Sequence, residues 1–479
     1  MTQPAPALSD IKAAGSSARL AEARALARLA GPLVLTQLAQ MAVLTTDMIM
    51  LGRLGKSALA STAIGGTLYF LCWLIGCGPA SAVAPVVAHI EGERGAGAVR
   101  GRGQIRAAVR MGLWAAAILS VPLALVLQAG QPILVFLRQD PGLAAGAGQF
   151  LSCLSLGLVF SVAFQVLRNW ATALGHAKSP LWVMVATIAY NALADYALIF
   201  GHFGLPRLGL AGSGLATSSS ALFACLAMLA VIAATPSLRA YRILRRLARP
   251  DWPRLKELFR LGFPIGVTSA FEAMLFNTMT LVMGTFGAAP LAAHQIALNF
   301  ASITFMVPLG VALAATVRVG LFAGQGDLDG ARRAGRVAIV GGAGCSLVSG
   351  AVMILFGAPI AALYFGGGVP DAQVVALAAT FLRIAAAFQI VDAIQVVGGL
   401  CLRGLKDARM PMVLAGAAYW LVGAPVSLGL AFGLHLAGVG VWLGLAAGLA
   451  AAAVLMVTRF ERLTRHASGV TLPDVGNAT

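Results

Sequence analysis

The sequence predicts an all-α polytopic membrane protein with twelve transmembrane helices in two parallel six-helix repeats, related by a pseudo-two-fold axis along the membrane normal. Three observations lead there. The 479 residues are 59% hydrophobic and 11% charged, with mean hydropathy +0.87. Apolar runs of about 20 residues, the length a helix needs to cross hydrocarbon, recur along most of the chain. These runs are rich in Leu, Ala, Val and Gly without strict alternation, so their backbone groups are satisfied within helices rather than in a barrel. Finally, residues 31–93 reappear at 263–325 at an offset of 232.

The spans follow in order. Residues 1–28 carry Arg19, Arg24 and Arg28 without an apolar core, and read as a cytoplasmic lead-in helix rather than a cleaved signal. An amino lobe, 29–234, then holds spans at 31–52, 57–88, 107–128, 146–173, 180–201 and 209–234. Residues 235–260, with eight Arg and Lys beside Pro236, Pro250 and Pro253, form a cytoplasmic linker. The carboxyl lobe, 261–459, holds spans at 261–285, 290–322, 337–362, 374–402, 411–431 and 435–458, and 460–479 is a cytoplasmic tail. Spans longer than 25 residues must tilt or protrude. Pro79, Pro85 and Pro308 lie within spans, where a missing backbone donor permits a bend.

The duplication is ordered. Gly52, Gly55, Leu59, Ile64 and Pro32 fall on Gly284, Gly287, Leu291, Ile296 and Pro264, and Leu-Ala-Gly-x-Gly at 210–214 returns at 436–440. Six spans per copy make the repeats parallel, a plan in which transporters carry their substrate path between or within the bundles.

A net charge of +17 invites a nucleic-acid reading, but 29 of the 34 Lys and Arg lie at or beside the termini and every second loop. The alternate loops hold only Arg53, Lys56, Arg138 and Arg207, while Arg383 lies in a span. This positive-inside pattern puts both termini in the cytoplasm and implies lipid headgroups, not nucleic acid, as partners. Cys72, Cys77, Cys153, Cys225, Cys345 and Cys401 share no short spacing and read as small core residues.

Four carboxylates lie within spans: Asp47, Asp195, Glu272 and Asp392. An ionisable group at the centre of a spanning helix costs about 2.5–3.5 kcal/mol on insertion scales, so its usual place is on an ion or substrate path. Asn191 and Asp195, four apart, share a helical face to which a helix carrying Asp47 could add oxygen ligands. Oxygen donors of this kind suit Na⁺; a desolvated carboxylate equally suits H⁺. The plain alternatives are pairing of Asp47 with Arg53 and of Asp195 with Arg207.

Gly31-Pro32, Gln40, Thr-Asp-Met-Ile-Met-x-Gly at 46–52, Ala-Ala-His-Gln-Ile-Ala-Leu-Asn at 292–299, Val-Pro-Leu-Gly at 307–310, Phe-Gln-x-x-Asp-Ala-x-Gln at 388–395 and Arg403-Gly404 together resemble the multidrug and toxic compound extrusion (MATE) family, in its NorM-like bacterial branch. The resemblance implies a monomeric antiporter of the bacterial inner membrane that uses a Na⁺ or H⁺ gradient, with no other cofactor, to expel organic cations. It places acidic positions at Asp47, Glu272 and Asp392, and an amino-lobe ion site at Asn191 and Asp195 with contributions from Asn169 and Thr217. Gln40, Phe271, Glu272, Asn277, Asn299, Gln389, Asp392 and Gln395 are the candidate cavity residues, although an amide in a bundle is also an ordinary helix-to-helix hydrogen bond. His294 reads as an interfacial histidine that only the motif singles out.

An enzyme is disfavoured by the absence of His-Glu-x-x-His, a serine elbow or a Walker lysine loop. Gly341-Gly342-Ala-Gly344 suits close helix packing. A flippase for lipids or lipid-linked oligosaccharides is the main rival, and intramembrane acids favour cations over it.

Overall fold

The computed structural model describes residues 8–96, 101–245, 247–365 and 371–465, with the side chains of 8–16 left aside. Residues 1–7 of the lead-in, Arg246 of the linker and 466–479 of the tail lie outside the described residues. Every regular element among those described is helical. In order these are α1 (Leu8–Gly52), α2 (Lys56–Gly95), α3 (Gly101–Gln128), α4 (Gly130–Phe136), α5 (Pro141–Ser155), α6 (Leu158–Ala173), α7 (Lys178–Phe200), α8 (Gly209–Ala234), α9 (Pro236–Arg239), α10 (Trp252–Gly284), α11 (Ala288–Gly324), α12 (Leu328–Leu363), α13 (Ala372–Gly404), α14 (Arg409–Ala417), α15 (Ala424–Leu428) and α16 (Ala437–Arg465). Eleven helical stretches are long and apolar enough to cross a membrane, and α5 with α6, bent by 47°, makes a twelfth.

The fourth span is therefore broken where the sequence reads as one helix. Ser218 on α8 supplies the cause. Its hydroxyl accepts from Gly157 N at 3.0 Å and lies 2.7 and 3.1 Å from the Cys153 and Leu154 carbonyls. A side chain inserted into the backbone ladder satisfies groups that a bend would otherwise orphan. The eleventh span also departs from a plain helix, since wide π turns at Ala418–Gly423 and Gly429–Gly433 flank α15. Pro425 is the second residue of α15; it has no N–H to give and crowds the preceding turn, so the hydrogen-bond register widens.

The packing divides the chain into two compact units. Among the described residues the first comprises 8–34, 275–365, 371–405 and 414–465; the second comprises 35–96, 101–245, 247–274 and 406–413. Each division falls inside a long helix, α1 after Val34 and α10 after Met274. Within the first unit α13 packs on α11, α12 and α16; within the second α2 packs on α3, α5 and α6, and α7 packs on α8.

Close backbone approach explains the crossed membership. In the second unit a Cβ on Gly78 would sit 2.7 Å from the Gly262 carbonyl, so α10 and α2 meet backbone to backbone. In the first, a Cβ on Gly310 would sit 2.7 Å from Val34 Cα, so α1 and α11 meet likewise. Gly78 and Gly310 are repeat-related at the offset of 232. Small residues at such crossings are how membrane helices gain van der Waals contact. The duplicated frame also appears in the turns, where Gly55 and Gly287 take φ of 112° and 108°, values that favour glycine.

The lead-in is continuous with the first span as α1. Buried Glu22 ties it within the first unit: Arg318 Nε donates to Glu22 Oε1 at 2.8 Å, and a second guanidinium nitrogen reaches Oε2.

Candidate functional site

The second unit gathers Asp47, Asn191, Asp195 and Thr217. α7 brings Asn191 and Asp195 on one face, both fully buried, and packs on α8, which carries Thr217. Asn191, Asp195 and Thr217 surround the buried Asp47 carboxyl group, to which Thr217 Oγ1 donates at 3.2 Å. Asp47 Oδ1, both Asp195 oxygens and the Asn191 amide are buried and complete no hydrogen bond of standard geometry. Neither Asp47 with Arg53 nor Asp195 with Arg207 forms an ion pair, so the pairing alternatives fail. Two carboxylates side by side without a basic partner are strongly unfavourable unless a cation joins them. The set offers carboxyl, amide and hydroxyl oxygens and no sulfur or imidazole, which suits a proton or a hard cation. No group of three or more His, Cys, Asp or Glu with metal-binding geometry occurs among the described residues.

Asn169 is not in this group. Its Nδ2 donates to the Ala80 carbonyl of α2 at 2.9 Å, joining α6 to a helix that contains Pro79 and Pro85. Ser213, one turn before Thr217 on α8, is a residue the sequence reading missed; its buried hydroxyl completes no hydrogen bond. Spacing along α8 was the signal that could have found it.

Arg168 on α6 is the main surprise. The charge pattern counts it among the loop-side basic residues, yet it is 4% exposed. Its Nη1 donates to Gln37 Oε1 at 3.1 Å and to Gln40 Oε1 at 2.8 Å, both on α1. Gln40 therefore binds a guanidinium, and no carboxylate pairs with Arg168 among the described residues.

Glu272, half-buried on α10 with Phe271, belongs to the second unit, whereas Asp392, buried on α13, belongs to the first. The two acids expected to form one carboxyl-lobe site are thus built into different units. Asp392 lies one turn beyond Phe388, in a first unit whose aromatic groups include Phe276, Phe388, Trp442 and His294. His294 is fully buried rather than interfacial, 3.0 Å from Thr280 Oγ1 and edge-on to Trp442 at 5.5 Å.

The amides of the first unit serve the bundle. Gln389 donates to the Ala301 carbonyl and to Thr304 Oγ1, each at 2.6 Å, and accepts from Ser349 at 3.0 Å, so it ties α13 to α11 and α12. Gln395 turns its amide to Met456 of α16 at 3.8 Å, and Asn299 accepts from Tyr364 at 2.9 Å. Asn277 and Asn299 are exposed. The cysteines are all free; Cys345 is exposed and Cys153 half-buried, against the expectation that all six are core.

The MatE family model matches residues 32–197 and again 264–428, twice in one chain and at the spacing of the internal repeat. The chain belongs to the MATE family of multidrug efflux transporters. Among its relatives, the probable multidrug resistance protein NorM of Rhizobium meliloti is 42% identical over 93% of this chain and 94% of its own length. The multidrug resistance protein NorM of Burkholderia vietnamiensis is 39% identical over 91% and 93%. In fold, the chain resembles the eukaryotic MATE transporter AtDTX14 with a TM-score of 0.78 at 23% identity, covering 94% of this chain and 99% of that one. A MATE structure in the straight conformation gives 0.83 at 18%, covering 92% and 96%. MATE membership and a multi-pass helical membrane fold settle the class, and the flippase alternative is not favoured.

Proposed function

We propose that this MATE protein is an ion-coupled antiporter of the bacterial inner membrane, with both termini cytoplasmic, that exchanges Na⁺ or H⁺ for organic cations by alternating access. The observation that carries the reading is the buried Asp47–Asp195 pair with Asn191 and Thr217 about it. A single cation fits such a site: a proton shared by the two carboxyl groups, or Na⁺ held by their oxygens with the amide and hydroxyl. Binding removes the repulsion between the acids, and release restores it, so occupancy biases the unit that contains them. The names of the NorM relatives support drugs as the exported class.

Glu272 in the second unit and Asp392 in the first supply further negative charge inside spans, and each is proposed by itself to attract cationic substrate. Substrate and ion need not touch one another; a coupling free energy of about 1–3 kcal/mol between their sites suffices for exchange. Nothing in this cycle requires bond-breaking chemistry by the protein.

The test is a gradient swap. Purified protein in liposomes is loaded with ethidium, and either a Na⁺ or a proton gradient is imposed. Movement driven by one gradient identifies the ion, whereas no movement under either would remove antiport as the function.

A further inference from the structure

We propose that the second unit carries a binding site for a zwitterionic aminophospholipid headgroup, phosphoethanolamine in chemistry, at the end of the bundle where α3 and α10 begin. A cavity of about 510 Å³ lies there, open to the surface and lined by Gln104 of α3 and by Asp251, Arg254 and Glu257 at the start of α10. The inference concerns lipid recognition and adds to the transport reading; it takes from that reading only that the chain sits in a membrane.

The polar groups of the cavity differ in what they have left to offer. Glu257 is fully engaged, by Arg254 at 2.5 Å and by Lys406 at 3.3 Å. Asp251 accepts only the Arg254 backbone N–H, at 3.3 Å, as the cap of α10, and its second carboxyl oxygen has no hydrogen bond among the described residues. The Arg254 donors other than Nη1 and the Gln104 amide are also uncommitted among the described residues. One carboxylate oxygen, one guanidinium edge and one amide in a single open cavity match a ligand with both an ammonium and a phosphate. A purely anionic headgroup would meet Asp251, and a purely cationic compound would meet Arg254.

The depth fits a lipid. Gln104 precedes the apolar stretch that begins at 107, and Arg254 and Glu257 precede the one that begins at 261. Trp252 at the start of α10 and Phe263 on its apolar part are 63% and 67% exposed and share one face of that helix. Exposed tryptophan at the start of a span marks headgroup level. The linker that leads into the cavity is fixed to α3, since Arg106 Nε donates to the Tyr241 carbonyl and Trp114 Nε1 to that of Leu247, each at 2.8 Å. Asp251 is thereby held in place rather than carried on a loose loop.

The full-length protein is purified in detergent, exposed in turn to phosphatidylethanolamine, phosphatidylcholine and phosphatidylglycerol, and examined by native mass spectrometry. The wild type is expected to retain phosphatidylethanolamine about fivefold more than either other lipid, because trimethylation removes the ammonium donors and glycerol removes the charge. Asp251→Asn keeps a good helix cap and removes only the charge, and is expected to bring that preference to about parity. Soluble phosphoethanolamine, lacking acyl chains to enter the bilayer, is expected to bind more weakly than the lipid. Unchanged selectivity in Asp251→Asn, best retention of phosphatidylglycerol, or equal binding of the soluble headgroup would each overturn the site. Retention is read without transport, so this outcome and that of the gradient swap are independent.

Discussion

At the scale of single residues, two buried acids side by side and one buried guanidinium held by amides call for different measurements. Asp47 and Asp195 have each other, an amide and a hydroxyl, and no basic residue. Asp195→Asn and Asp47→Asn keep shape and remove one charge, so insertion is expected to be unchanged while gradient-driven ethidium efflux falls roughly 5–150-fold, the span of an ordinary coupling free energy. Efflux at the wild-type rate in both variants would move the ion site elsewhere. Arg168 invites a different measurement. Gln40→Leu removes an acceptor from a guanidinium that stays buried, and the unsatisfied donor is expected to cost about 1–3 kcal/mol, read as a lower melting temperature in detergent. Arg168→Met removes the buried charge itself, leaving only two half-buried amides exposed to a change of partner, and is expected to be the milder substitution.

At the scale of elements, legibility followed the range of the interaction. Spans and their number could be read because hydropathy is local, and Asn191 with Asp195 could be paired because both lie on one helix. The break between α5 and α6 could not, since its cause is one hydroxyl from α8, 61 residues from Gly157. Nor could the burial of Arg168, because a basic residue near the end of an apolar run has the same appearance whether it faces a loop or two glutamines. His294 reads as interfacial for the same reason, its partners Thr280 and Trp442 being supplied by other helices. The Ser218 bridge carries its own expectation. Ser218→Ala deletes the hydroxyl that meets Gly157 N and the two carbonyls of α5, and a loss of about 1–3 kcal/mol is expected, with hydrogen exchange rising first at Gly157. Ser219→Ala, whose hydroxyl only returns to its own helix at Ala216, is the matched control.

At the scale of the whole molecule, the duplicated sequence describes two equal halves, while the packing makes each compact unit from parts of both. Residues 8–34 join the unit of α11, α12 and α13, and the first part of α10 joins that of α2 and α3. The same device acts in each, a glycine of the second helix of one half against the first helix of the other. Gly78 faces the Gly262 carbonyl and Gly310 faces the backbone of Val34. Backbone cannot yield as a side chain can, so a single methyl at either position overpacks the crossing, at a cost of about 1–3 kcal/mol. Gly78→Ala and Gly310→Ala are therefore each expected to lower the melting temperature in detergent, whereas Gly66→Ala and Gly344→Ala, where an added Cβ meets nothing within 4 Å, should leave it unchanged. If the halves instead folded as contiguous lobes, with α1 and α10 each confined to its own repeat, neither crossing would exist and all four substitutions would be tolerated alike.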